Sequence, residues 1–288
     1  MLTETFQSIA SAVRNLSRNW QPMLLIAIVY ACLLVVLYFF VSVREASLAQ
    51  VVLTFALAIA APLLFFILQA MIAGAAASNA DELTSGAMVR KAFTSFWKLL
   101  IITLPLIALA VLIAYLLGKA QARFGTTINN PAIELPRRLA SAANAREAAR
   151  PIDWRAATLS TLRYLFFGLV LPLAAIHLWL ATALEGLGPA IKKLKTLLAR
   201  AFAPQSVLIY IVGFVIFAVI PYFLLFKTIP SKHAWLEISL LVVRLAIVFA
   251  LSLFGWVMTV KAISLLSTIP LSTSPLPTSP PHPANEAV

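Results

Sequence analysis

The chain of 288 residues is 62% hydrophobic and 11% charged, with a mean hydropathy of +0.97 and a formal net charge of +12. A soluble domain carries about 25% charged residues, so a soluble fold is excluded. The single cysteine, Cys32, leaves no disulfide framework and no thiolate metal cluster, and it reads as a packing residue inside a span.

Six apolar stretches of bilayer length are predicted as transmembrane helices, at 23–43, 50–72, 99–118, 164–184, 206–226 and 238–260. A helix needs about 20 such residues to cross ~30 Å of hydrocarbon. Continuous apolar runs, rather than alternation over about 10 residues, identify helices and not barrel strands, because each backbone group in lipid must be paired within its own segment or a closed barrel. The expected fold is an all-α integral membrane bundle of six spans. The first run is 21 residues long behind 22 others, so it reads as a span, whereas a cleavable leader has an apolar region of about 7–15 residues.

In chain order, the first 22 residues place Phe6, Ile9, Val13, Leu16 and Trp20 on one helical face and Gln7, Ser11, Arg14 and Arg18 on the other. That spacing predicts an amphipathic helix lying at the membrane interface. The next two spans hold Cys32, Pro62 and Gln69, a polar side chain at depth. Asp81 and Glu82 then precede a second amphipathic segment over 84–98, where their charge suits a helix start. Val89, Phe93 and Phe96 form its apolar side, with Arg90, Lys91, Thr94 and Lys98 away from it.

After the third span, with Pro105, comes a basic connection at 119–163, in which 136–149 and 152–163 read as two short surface helices, with Trp154 as an interfacial anchor. The fourth span carries Pro172 and His177; the histidine reads as an interhelical hydrogen-bonding group ahead of a ligand contact. A third amphipathic segment, 189–202, groups Ile191, Leu194, Leu198 and Phe202 opposite Lys192, Lys193, Lys195 and Arg200. Pro221 lies in the fifth span. Arg244 lies six residues into the sixth, about 9 Å at 1.5 Å per residue. Snorkelling to water beside Glu237, an interhelical hydrogen bond and a substrate or lipid-phosphate contact are all open to it. Beyond residue 268 the prolines at 270, 275, 277, 280, 281 and 283 predict a disordered, extended tail over 269–288.

Each amphipathic segment is followed by two spans, which predicts a threefold internal repeat: 1–73, 81–186 with its insertion at 119–163, and 187–268. The N-terminal segment, the second and fourth connections and the C-terminal side hold Arg14, Arg18, Arg90, Lys91, Lys98, Lys192, Lys193, Lys195, Arg200 and Lys261; the first and fifth connections hold Arg44, Lys227 and Lys232. Ten cations against three orient both termini toward the cytoplasm of a bacterial inner membrane, although the 119–163 connection carries eight on the opposite side. Basic residues at membrane ends meet anionic headgroups, so the expected partners are membrane lipids and another membrane protein. A nucleic-acid partner would call for a basic stripe on one folded domain.

Residues 183–214, ALEGLGPAIKKLKTLLARAFAPQSVLIYIVGF, and more faintly 85–104, SGAMVRKAFTSFWKLLIITL, resemble the membrane-anchor region of bacterial glycerophosphodiester phosphodiesterases and related multi-pass proteins. The likeness rests on Glu185, Gly186, Gly188 and Pro189, the basic helix and the span behind it, and it implies a six-helix bundle without the phosphodiesterase domain or its metal ligands. Ten acidic residues, three histidines and the absence of zincin, nucleophile-elbow and P-loop motifs leave hydrolytic and phosphoryl-transfer chemistry without its usual parts. The expected function is therefore a non-catalytic, cofactor-free scaffold or anchor for a membrane complex, through Arg14, Arg18, Arg90, Lys91, Lys192, Lys193, Lys195 and Arg200. The alternative is a small-molecule or lipid transporter with a cavity near His177 and Arg244.

Overall fold

The structure is a computed structural model that describes residues 2–18, 20–43, 47–78, 85–124, 154–226 and 234–268. These residues are all-helical, and six of the helical stretches are long and apolar enough to cross a membrane. In chain order they form α1 (Leu2–Arg18), α2 (Trp20–Ser42), α3 (Leu48–Ala77), α4 (Ser85–Phe124), α5 (Trp154–Leu165), α6 (Leu171–Glu185), α7 (Leu187–Lys192), α8 (Leu194–Ala201), α9 (Pro204–Phe214), α10 (Ile220–Phe226) and α11 (Ala234–Thr268). Single π-turns, Phe166–Val170 and Val215–Val219, join α5 to α6 and α9 to α10. Asp81, Glu82, the expected 136–149 helix and the 269–288 tail lie outside the described residues.

Several expectations about element boundaries are corrected. The amphipathic segment 84–98 and the third span are one helix, α4, because no Gly or Pro falls between Ala87 and Leu104 to interrupt the ladder. At 40 residues it runs for ~60 Å and so projects well past a ~30 Å core. The described part of the expected surface helix at 152–163, from Trp154 on, instead runs through the first π-turn into the fourth span. The expected single helix at 189–202 is two, α7 and α8, broken at Lys193, whose backbone sits in the bridge region at φ −93°, ψ 11°. Lys193 Nζ there donates to Glu185 Oε2 at 2.8 Å, tying the break to the end of α6. Between them Gly186 holds φ +88°, ψ 175°, a backbone conformation that glycine alone adopts readily, and it reverses the chain. Cys32 is exposed, so it packs against nothing in the core of the bundle.

Packing is strongly unequal between the two ends. The buried side chains concentrate on 66–76 of α3, the 88–103 stretch of α4, 173–182 of α6 and 253–264 of α11, together with Thr5, Ser8 and Ala12 of α1. All of these belong to the end where α3 finishes, α4 begins, α6 turns into α7 and α11 finishes. Helix α6 is the hub: it packs on α3, α4 and α8, while α11 packs on α1, α3, α9 and α10. The opposite halves of α2, α4 and α11 present Tyr38, Phe39, Val111, Tyr115, Trp235 and Val242 outward.

Three devices, two polar and one steric, tie the packed end together. Trp179 Nε1 donates to Thr103 Oγ1 at 2.9 Å, and that hydroxyl donates to Leu99 O at 2.6 Å. Lys261 is only 7% exposed; its Nζ donates to Ala76 O at 2.9 Å and Ser78 O at 3.2 Å, and Ser264 Oγ also donates to Ala76 O. The ammonium thus caps the C-terminal carbonyls of α3, where a cation complements the helix dipole. Lys261, counted from the sequence among the cations of the C-terminal side, is therefore not free at the membrane surface: α11 continues seven residues past it, to Thr268, and carries it into the interface with α3. The third device is a close crossing of α9 and α11, where a Cβ on Gly213 would overlap the Thr259 hydroxyl and a Cβ on Gly255 would meet Phe217 Cβ at 2.9 Å. Small residues let membrane helices approach in this way.

Candidate functional site

The site begins with two prolines. Pro172 has no N–H, so the carbonyl four residues before it, Gly168 O, loses its helical donor. The preceding N–H, of Leu171, reaches back to Phe166 O instead, and this i→i−5 bond closes the first π-turn. Gly168 O is not left orphaned, because the Tyr210 hydroxyl donates to it at 2.8 Å from α9. Pro221 repeats the device: Ile220 N–H bonds Val215 O and closes the second π-turn, which presents Phe217. Phe217 meets the Trp256 ring edge-on at a centroid distance of 5.3 Å and the Tyr210 ring at 6.1 Å.

Between these turns the bundle holds an open-sided cavity of about 690 Å³, within the ~300–1,000 Å³ range of small-molecule sites. α2, α3, α4, α6, α9, α11 and both π-turns contribute to its wall. The wall is aliphatic and aromatic, and its polar tips are turned on one another. Trp256 Nε1 donates to Gln69 Oε1 at 3.1 Å, Trp179 to Thr103, and Tyr210 to Gly168 O, while Tyr30 lies beside Ser252. No Asp, Glu, His, Lys, Arg or Cys is among the described residues that line it. Paired polar groups inside an apolar wall leave a surface with little hold on water, so the space suits an uncharged, apolar occupant.

A second space, a groove of about 850 Å³, runs alongside on the α5 flank, lined among others by Ala114, Arg163, Tyr164, Leu165, Ile211 and Phe214. Phe167, Gly168, Tyr210 and Phe214 line both spaces and form the partition between them. The Tyr210–Gly168 hydrogen bond crosses that partition.

The residues singled out from the sequence distribute unevenly over this geometry. Gln69 is buried and lines the cavity. His177 is 5% exposed on α6 but lines neither space, and its Nε2 has no hydrogen-bond partner among the described residues. Arg244 is half-buried on α11, also outside both linings, and like Glu237 it has an interaction partner. Arg14, Arg18, Arg90, Lys91, Lys98, Lys192, Lys193, Lys195 and Arg200 are all exposed around the packed end. Phe6, Phe93, Trp97, Ile191 and Phe202 are exposed beside them.

The sequence reading missed Tyr30, Thr103, Trp179, Tyr210 and Trp256. The tryptophans gave no signal: Trp179 and Trp256 lie five and four residues inside the ends of the spans read from the sequence, where tryptophan ordinarily sits at the interface, and only the fold supplies their internal acceptors. No family model, curated protein or solved structure matches this chain.

Proposed function

We propose that this chain is a non-catalytic, multi-pass membrane protein that binds a membrane-dissolved small molecule or lipid inside its bundle, as a carrier or transporter does. The observation that supports the reading is the 690 Å³ cavity, whose described lining holds aromatic and aliphatic groups and internally paired polar tips but no Asp, Glu, His, Lys, Arg or Cys. Such a wall selects by shape and apolar contact and offers no group to perform chemistry. The cavity sits on Gln69, Tyr210 and Trp256, not on His177 and Arg244, so the transport reading keeps its class and changes its residues.

The scaffold reading is favoured by a different feature, the nine exposed cations and the apolar side chains among them at the packed end. In this proposal that end is cytoplasmic, in a bacterial inner membrane, where the cations of α1, of the projecting start of α4 and of α7 and α8 meet anionic headgroups. The two readings are compatible. The resemblance to the membrane-anchor region of the phosphodiesterases agrees with a bundle of this kind that serves lipid chemistry performed elsewhere.

The test is extraction of the full chain in a mild detergent, followed by mass spectrometry of what accompanies it, for the natural sequence and for Val111→Trp. Val111 lines the cavity on an exposed part of α4, away from the packed end, so a large ring there fills space without disturbing the core. The expected result is a near-stoichiometric small molecule or lipid that Val111→Trp displaces. Identical lipid content in both proteins would overturn the reading, and a stoichiometric protein partner in its place would leave scaffolding as the function.

A further inference from the structure

The groove beside the cavity holds a cation that no described residue compensates. Arg163 lines it at the end of α5 and makes no ion pair among the described residues. The neighbouring hydroxyls are already committed: Thr161 Oγ1 donates to Ala157 O at 2.9 Å and Tyr210 to Gly168 O at 2.8 Å. Among the described residues of the lining, the Tyr164 hydroxyl is the remaining donor besides the guanidinium, on a largely exposed ring.

The level of Arg163 in the membrane follows from the aromatic girdles. On α2, Trp20 and Tyr38 are both exposed, and on α4 so are Trp97 and Tyr115. Each pair is 18 residues apart, about 27 Å of helix, close to one hydrocarbon thickness. Arg163 shares the groove with Ala114, next to Tyr115, and therefore stands at the headgroup level of the open end. Tyr210 and Phe214, at the other end of the groove, lie six and ten residues into α9, about 9 and 15 Å from its start at the packed end. The groove thus runs from one headgroup layer toward the middle of the bilayer. There it meets the cavity at Gly168, where an added Cβ would find no atom within 4 Å.

We propose that this groove and cavity together form one site for an anionic lipid of the bilayer, its phosphate or carboxylate held by Arg163 and Tyr164 and its tail laid along the groove, past Gly168, into the cavity. The occupant is a lipid rather than a free anion because the described groove lining below Arg163 is apolar apart from the Tyr210 hydroxyl, which is committed to Gly168 O. It is anionic because a guanidinium forks onto phosphate or carboxylate with two parallel hydrogen bonds, which a neutral head cannot accept as an anion does, while a zwitterionic head brings its own cation to compensate its phosphate. The inference rests on the cavity being a ligand site and adds the headgroup, the entry side and the route.

The experiment is native mass spectrometry titration of the purified full chain with three probes of one acyl chain length: lysophosphatidic acid, lysophosphatidylcholine and monoacylglycerol. The proteins are the natural sequence, Arg163→Gln, Arg163→Lys, Gly168→Leu, and Arg123→Gln as a surface-cation control. The natural chain is expected to bind the anionic probe at least tenfold more tightly than the neutral one. Arg163→Gln should erase that preference while leaving monoacylglycerol binding in place, Arg163→Lys should restore part of it, and Arg123→Gln should change nothing. Gly168→Leu should weaken all three probes.

Binding of all three probes with no anionic preference, or a preference that survives Arg163→Gln, overturns the headgroup assignment and leaves the cavity as a ligand site. Affinities for all three probes left untouched by Gly168→Leu overturn the tail route. Binding of none of the probes to the natural chain overturns this inference and the carrier reading together.

Discussion

Gly213 sets how closely α9 approaches α11, because the space a side chain would need is occupied by Thr259. Gly213→Ala therefore forces either the Thr259 rotamer or the helix pair apart, an overpacking cost of about 1–3 kcal/mol. The Thr259 hydroxyl is not free to swing away at no cost, since it donates to Gly255 O at 2.6 Å. The expected outcome is a melting temperature in detergent several degrees below the natural protein, with part of the loss recovered in Gly213→Ala/Thr259→Ala. Gly74 supplies the control: it is also helical and buried, but no atom lies within 4 Å of its Cβ position. Gly74→Ala should leave the melting temperature unchanged or raise it, by up to the ~1 kcal/mol that alanine gains over glycine in a helix. Equal losses at the two glycines would mean that the close crossing is not what holds α9 on α11. Neither glycine could be told from the other in the sequence, where each is one Gly in an apolar run. Gln69 was visible because a lone amide in hydrocarbon must find a partner, but its partner, Trp256, lies 187 residues away and only the fold supplies it.

Elements are where the sequence spoke most clearly and where its punctuation was hardest to interpret. Apolar runs of bilayer length gave all six spans, because length and continuity are properties of the run alone. What lies between runs depends on whether anything stops a helix, which is why 84–98 fused into α4 and 152–163 into the fourth span. The prolines were legible as interruptions, but their consequence was not, because a freed carbonyl takes whatever donor the neighbouring helix presents.

At Pro172 that donor is Tyr210, and the dependence is testable by a double-mutant cycle. In the natural chain Tyr210→Phe leaves Gly168 O without a donor, which costs about 1 kcal/mol or more. In Pro172→Ala an N–H returns four residues after Gly168, so the carbonyl can rejoin its own helix and the hydroxyl becomes dispensable. Unfolding measurements on the four proteins should give a coupling of about 1 kcal/mol between the two substitutions. Strict additivity would mean that the π-turn, and not the missing N–H, is what presents Gly168 O to α9.

At the scale of the whole molecule, one end is packed and ringed with cations and the other is open and apolar. The two asymmetries coincide. Arg14 and Arg18 on α1, Arg90, Lys91 and Lys98 on α4, and Lys192, Lys193, Lys195 and Arg200 on α7 and α8 are all exposed at the packed end. Lys261 drops out of this set because it is consumed by the α3 carbonyls, so the charge bias that orients the chain is nine rather than ten. Opposing it are the cations between α4 and α5, at Arg137, Arg138, Arg146, Arg150 and their neighbours, which would have to cross the membrane for the packed end to be cytoplasmic.

If short-loop cations orient the chain, fusions that report compartment should place residue 2 and the chain after Thr268 in the cytoplasm, and an insertion at 140 outside. Changing Arg137, Arg138, Arg146 and Arg150 to Gln should then leave this orientation intact or make it more uniform. Changing Arg14, Arg18, Lys192, Lys195 and Arg200 to Gln should populate the inverted form; Lys193 is kept in that variant so that its ion pair with Glu185 survives and the packed end is not weakened for another reason. A cytoplasmic reporter at 140 in the natural chain would sink the assignment. It would also move Arg163 and the groove mouth to the cytoplasmic leaflet, so that any lipid entering there would be drawn from the inner layer.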